Sequence, residues 1–172
     1  MTTVRDIYEY LDSFAPFSTA MSFDNAGLLA GSGQEPVQKA LLALDITPQV
    51  VREAAAKGAQ LVVSHHPVIF DPLRRLVPGS APFLLAAHGV AAICAHTNLD
   101  LAPGGVNTCL AERLGLRNVR TLSVDGPSGL PESLCGELEQ ELSPREFALF
   151  VRDALGCQAV EYTEGSGKVR TA

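Results

Sequence analysis

Three short apolar runs are separated by two segments that carry their own start and stop signals for helix. The runs are "ALLALDI" (40–46), "AQLVVSHH" (59–66) and "VAAICAHTN" (90–98). Between the first two, Thr47 can cap a helix, Pro48 suits its first position, and Gly58 stands just past its end. Between the second and third, Ser80 and Gly89 bracket "APFLLAAH" in the same way. Strands alternating with helices require crossover connections, and these build a mainly parallel sheet covered on both faces. Unbroken apolar runs, rather than alternating ones, fit burial on both faces. The expected fold class is therefore α/β, a three-layer α/β/α sandwich with a mainly parallel sheet.

The flanks are read with the same signals. Thr3 can cap an N-terminal helix with Val4, Ile7, Tyr8 and Leu11 on one face, ending near Phe14–Pro16. Leu28–Leu29 read as a short strand. "APGG" is a turn, and "VNTCLAERLG" a helix closed by Gly115. Beyond Leu116 the pattern weakens. "SVDGPSGLPES" reads as a loop or linker. A short strand in "LCGELEQEL" is followed by a helix starting at Ser143–Pro144, and "CQAVEYTEG" reads as a strand. "KVRTA" resembles the start of another strand, which suggests a chain trimmed partway through a larger fold. We divide the chain into a metal-binding α/β domain (1–120) and a linker with the incomplete start of a further α/β segment (121–172).

Charge narrows the function classes. The formal net charge is −6 and the basic residues are scattered, so a nucleic-acid surface is disfavoured. No apolar stretch is long enough to span a bilayer, and the charged N-terminus lacks a signal-peptide core. The expected setting is a reducing cytoplasm. The four cysteines show no C-x-x-C spacing, so neither a zinc knuckle nor a thioredoxin-type motif is suggested, and Cys94 reads as a small packed hydrophobe.

The polar residues at the strand ends carry the chemistry. Ligands of an open parallel sheet bind beyond the carboxyl ends of its strands. Those ends supply Asp45, then His65–His66, then His96 with Asp100. Pro67 keeps His66 extended. A pair of histidines splayed at a strand terminus can serve two metal ions, with Asp100 completing or bridging the site. Imidazole and carboxylate without thiolate suit zinc, manganese or iron. Each residue also has a plainer reading. His65 and His66 could bond backbone carbonyls, Asp100 could cap the "APGG" turn, and Asp45 could cap the following helix. His96 could be a ligand, a group supporting a ligand, or a general acid/base. His88 fits the end of its helix by the dipole alone. "SFDNAGLLAGS" (22–32) lacks the phosphate-loop patterns and reads as turn chemistry.

"FDNAGLLAG", "LVVSHHPVIFDPLRRL" and "AHTNLDLAPGGVNTCLAERLGL", in this order, resemble the Nif-three-like family, whose members carry the label GTP cyclohydrolase I type II homologue. Phe23 stands where the family usually has tryptophan. The resemblance implies a dinuclear metal centre in an α/β fold of two similar halves, assembled as a ring-shaped hexamer. His65, His66 and Asp100 match family metal ligands, and His96 matches the histidine that opens the "HTNLD" motif. Two further ligands of the family, from a C-terminal H-x-x-x-E-like motif, have no counterpart, because no histidine follows His96.

Two functions follow as expectations. One is a metal-dependent hydrolase of a small-molecule or nucleotide substrate, GTP cyclohydrolase-like, with two divalent metal ions and His96 as catalytic residue. The other is a non-enzymatic metal-binding, metal-delivery or scaffold protein using the same ligands.

Overall fold

Four strands form the first sheet: β1 (Gly27–Ala30), β2 (Ala40–Ala43), β3 (Leu61–Ser64) and β4 (Ala91–Cys94). Their order is β1-β4-β3-β2. In this computed structural model, which describes residues 1–123 and 132–172, β2, β3 and β4 run parallel. β1 is antiparallel to β4 and sets Gly27 opposite Cys94. The sheet is thus mainly parallel, as its continuous apolar runs implied.

Pleating sends alternate residues to opposite faces, and the two cores follow that alternation. Leu61, Ala91 and Ile93 pack with Val4 and Val37 beneath α1 (Val4–Phe14). Val62 and Ala92 pack with Val51 and Ala54 of α2 (Pro48–Ala56) and Leu85 of α3 (Ala81–His88). Helices therefore cover both faces, giving an α/β/α sandwich. Leu61, Leu85 and Ile93 are fully buried, each contributing about 1.5–3 kcal/mol. The helix signals act where expected: Thr3, Thr47 and Ser80 accept the backbone N–H groups of Asp6, Val50 and Phe83.

Two readings of this region are corrected. "ALLALDI" is not a buried strand: β2 is the sheet edge, with Leu42 79% exposed, because α1 covers only the neighbouring strands on that face. "VAAICAHTN" is strand only to Cys94. Beyond it the Asn98 side chain accepts the His96 backbone N–H, and Thr97–Leu101 coils into the short helix α4.

The chain divides into two units, Met1–Pro103 and Gly104–Ala172. The second holds α5 (Val106–Arg113), β5 (Arg117–Ser123), β6 (Ser133–Leu142), α6 (Pro144–Leu155) and β7 (Val169–Thr171). Its sheet, ordered β5-β6-β7, is antiparallel throughout. The "LCGELEQEL" segment is a longer strand than its composition suggested. Glu137, Glu139 and Glu141 alternate along β6 and meet Asn118, Arg117 and Arg170. That spacing marks one polar face of an antiparallel ladder. "CQAVEYTEG" forms no strand, whereas "KVRTA" does supply β7. Residues 124–131 of the expected linker lie outside the described residues. No described helix is long and apolar enough to cross a membrane.

α6 begins with a capping box: Ser143 accepts the Glu146 N–H, and the Glu146 carboxylate accepts the Ser143 N–H at 2.7 Å. The Ser143 hydroxyl, which donates to the same carboxylate at 2.6 Å, and then the Ser143 N–H hold the Glu146 carboxyl below the usual carboxylate range. Ser143→Ala is expected to cost about 1 kcal/mol, read from the midpoint of urea unfolding.

Candidate metal centre

β3 ends at Ser64, so the strict alternation of a strand no longer applies to His65 and His66. Their backbone N–H groups continue the ladder onto Ala43 and Leu44, at 3.3 and 2.9 Å. The Ser64 hydroxyl donates to the His66 carbonyl (2.8 Å), and the Cys94 thiol donates to the His65 carbonyl (2.9 Å). This backbone grip turns both rings toward His96. The ring centroids lie 5.0 Å apart for His65–His66, 5.1 Å for His65–His96 and 5.6 Å for His66–His96. One ring nitrogen of each histidine falls within 4.8 Å of the others.

Each imidazole is oriented by a partner on its other nitrogen. His65 Nδ1 lies 3.0 Å from the Ala95 carbonyl, which can only accept, so that nitrogen carries a proton. His66 Nδ1 lies 2.8 Å from Asp45 Oδ1, and His96 Nδ1 lies 2.9 Å from Asp24 Oδ1. In the neutral tautomer these bonds select, all three Nε2 atoms keep a lone pair. Nδ1 held by carbonyl or carboxylate, with Nε2 free, is the arrangement that supports metal-ligating histidines. Asp100 Oδ1 stands 3.6 Å from His65 Nε2, so an oxygen donor borders the same space. The donor set fits a divalent cation of the zinc, manganese or iron type.

Asp24 is the residue that sequence reasoning missed. Its side chain has no exposed surface, and its carboxylate accepts from His96, the Thr97 backbone and hydroxyl, and the Asn25 N–H. Burial alone would raise its carboxyl, but the donors from Thr97 and His96 outweigh burial and hold it below the usual range. The "FDN" stretch does contain a turn, from Asp24 N–H to the Met21 carbonyl, yet its carboxylate works across the sheet. Antiparallel entry of β1 brings Asp24 to the carboxyl edge, and strand order is not legible in local pattern. Asp45 serves His66, while the helix after it is capped by Thr47. Asp100 lies on α4 beside His65 rather than at the "APGG" turn. His88 is in the last turn of α3, outside the cluster.

Cys94 lies under the site, fully buried, as its apolar setting suggested. Burial, then the Asp24 charge, pushes its thiol up to about 12 from 9.0. The folded thiol therefore stays protonated between pH 9 and about 12 while the unfolded one ionises. The unfolded state then binds fewer protons, and stability falls as pH rises through that window, by up to about 1.4 kcal/mol per unit. Iodoacetamide at pH 8 is expected to label the exposed Cys109 and Cys157 in the native protein, and Cys94 only after unfolding. Mass spectrometry of the labelled peptides checks this.

A sequence model of the Duf34/NIF3 (NGG1p interacting factor 3) family matches residues 2–171. A Staphylococcus aureus protein called GTP cyclohydrolase 1 type 2 homolog is 42% identical over 123 residues, covering 70% of this chain and 34% of its own length. A Clostridium perfringens protein of the same name is 31% identical over 166 residues, covering 92% of this chain and 63% of its own. The matched stretches thus span from about a third to under two thirds of these relatives. A Staphylococcus aureus crystal structure superposes with a TM-score of 0.89 at 28% identity, covering 99% of this chain and 71% of that one. A Bacillus cereus protein related to NIF3 shares the fold, with a TM-score of 0.84 at 23% identity, covering 99% of this chain and 75% of that one.

Proposed function

Because the chain belongs to the Duf34/NIF3 family, we propose that it is a metal-dependent hydrolase resembling the relatives called GTP cyclohydrolase 1 type 2 homolog. The observation that carries this reading is the convergence of three imidazoles whose Nδ1 atoms are already committed. On this reading His65, His66 and Asp100 are the metal ligands of a dinuclear centre for zinc, manganese or iron. The working form is a cytoplasmic homohexamer, and the substrate is a nucleotide or other small molecule.

A divalent cation held there would supply Lewis acidity toward the attacked group. The chain's own residues supply the rest. His65 and His66 present their Nε2 lone pairs from a backbone fastened at the end of β3. Asp45 fixes the His66 tautomer. His96, backed by the buried Asp24, takes the proton-transfer role at Nε2, because a carboxylate on Nδ1 orients the ring. Asp24 is a positioning residue in this scheme.

The test compares metal-loaded protein with His96→Ala and His65→Ala, following GTP ring opening and phosphodiester hydrolysis. His96→Ala is expected to keep its metal and lose about 10²–10⁴ in turnover. His65→Ala is expected to lose both. Equal turnover in metal-stripped protein overturns the hydrolase reading. Metal binding with no turnover of either substrate leaves the metal-carrying alternative.

A further inference from the structure

On one side β2 has no partner strand among the described residues. The ladder to β3 shows which of its backbone groups face outward. The carbonyls of Lys39 and Ala43 accept the N–H groups of Gln60 and His65, so the odd-numbered residues point toward β3. Alternation then turns the N–H and C=O of Ala40 and Leu42 away from the sheet. The pleat also separates two faces. Leu41 and Ala43 pack with the cluster under α2 and α3, whereas Leu42 and Leu44 are 79% and 62% exposed. An edge that offers free backbone groups and bare leucines is a template for another strand.

Charge guards such edges, and here it stands only at the two ends of the segment "KALLALD" (39–45). Turned end for end about Leu42, this segment places Lys39 against Asp45, Ala40 against Leu44, and Leu42 against itself. An antiparallel pair in that register exchanges two hydrogen bonds between the outward groups of Leu42. Each Leu44 then lies beside an alanine rather than a second leucine. A parallel pair would set Lys39 beside Lys39, which like-charge repulsion disfavours, and a slip of two residues takes Lys39 away from Asp45.

Both charged ends are available. Lys39 Nζ donates to the Lys57 carbonyl at 2.6 Å, a neutral group that leaves the ammonium charge uncancelled. Asp45 Oδ1 holds His66 Nδ1, while its side chain stays 56% exposed. Asp45 follows the strand end, and the long, flexible stem of a lysine spans the difference.

We propose that β2 is an interface between two copies of this chain, paired antiparallel about Leu42 and closed by two Lys39–Asp45 ion pairs. Such a contact uses the same surface on both copies and generates a two-fold axis. It goes beyond the metal reading, and it rests on the proposed homo-oligomer only in that copies of the chain associate.

Sedimentation velocity of the full chain over a range of concentrations tests this. Lys39→Glu and Asp45→Lys each set like charges opposite one another twice, so each is expected to weaken the contact about tenfold or more and to halve the particle mass. An equimolar mixture of the two variants is expected to regain the wild-type mass, since in a mixed pair every new charge meets its opposite. Mass is the readout because Asp45→Lys also disturbs His66. Leu42→Pro removes an N–H that β3 does not use, so it should keep the circular-dichroism spectrum and lose the contact. Wild-type protein that is monomeric at every concentration overturns the proposal and leaves the edge to a different chain. So do charge variants of unchanged mass, or a mixture that fails to recover. A hexamer indifferent to all of these changes keeps the oligomeric reading and removes this contact alone.

Discussion

Replacing His65 or His66 by alanine is expected to weaken binding of a divalent cation by two to three powers of ten. A four-ligand zinc site is worth about 10–16 kcal/mol, so one ligand carries roughly 3–4 kcal/mol, and each 1.4 kcal/mol is a factor of ten. The loss should be large because the rings are held in advance. Ala95 and Asp45 fix their Nδ1 atoms, and the ladder to β2 fixes their backbone, so neither ring loses much freedom on binding an ion. Asp45→Ala leaves both imidazoles in place but frees the His66 tautomer, and should cost a smaller 10–100-fold. His88→Ala is the control, since His88 ends α3 outside the cluster. Competition against a chromophoric chelator measures all four proteins. Wild-type affinity in both His65→Ala and His66→Ala would remove the metal centre.

Asn98→Ala should be among the most destabilising single changes in the unit Met1–Pro103. Asn98 is fully buried. Its amide donates to the Ala15 carbonyl at 2.7 Å, and its carbonyl oxygen accepts the His96 N–H at 2.9 Å. One side chain thus ties the end of α1 to the residue that opens α4, across 83 positions of sequence. Truncation leaves a buried acceptor and a donor without partners, each worth about 1–3 kcal/mol, so a total of about 2–6 kcal/mol is expected. Chemical unfolding followed by circular dichroism measures it. The same change loosens the backbone of His96, so turnover should fall even below the melting temperature while the metal is kept. An Asn98→Ala protein with an unshifted midpoint would show that these two hydrogen bonds add nothing net.

Much of this was legible because local pattern and burial agree. The strands at 61–64 and 91–94 are apolar without interruption since both faces are covered, and Thr47, Ser80 and Ser143 announce their helices by the bonds they then make. The pair His65–His66 and the "HTNLD" segment stood out because parallel strands deliver their carboxyl ends to one edge. The second sheet was harder to read. β6 carries an alternating pattern diluted by Gly136 and Gln140, and its neighbours come from segments whose pairing no local signal specifies.

From its residues alone this chain determined a mainly parallel, doubly covered sheet and the presence of imidazole and carboxylate at its carboxyl edge. Both depend on properties carried along the chain: periodicity, caps and the direction of each strand. Tertiary structure alone decided that β2 is an exposed edge, that β1 enters antiparallel, and that Asp24 therefore meets His96 across 72 residues. Strand order is settled by which faces bury most surface together, an energy summed over distant segments and so absent from any one of them.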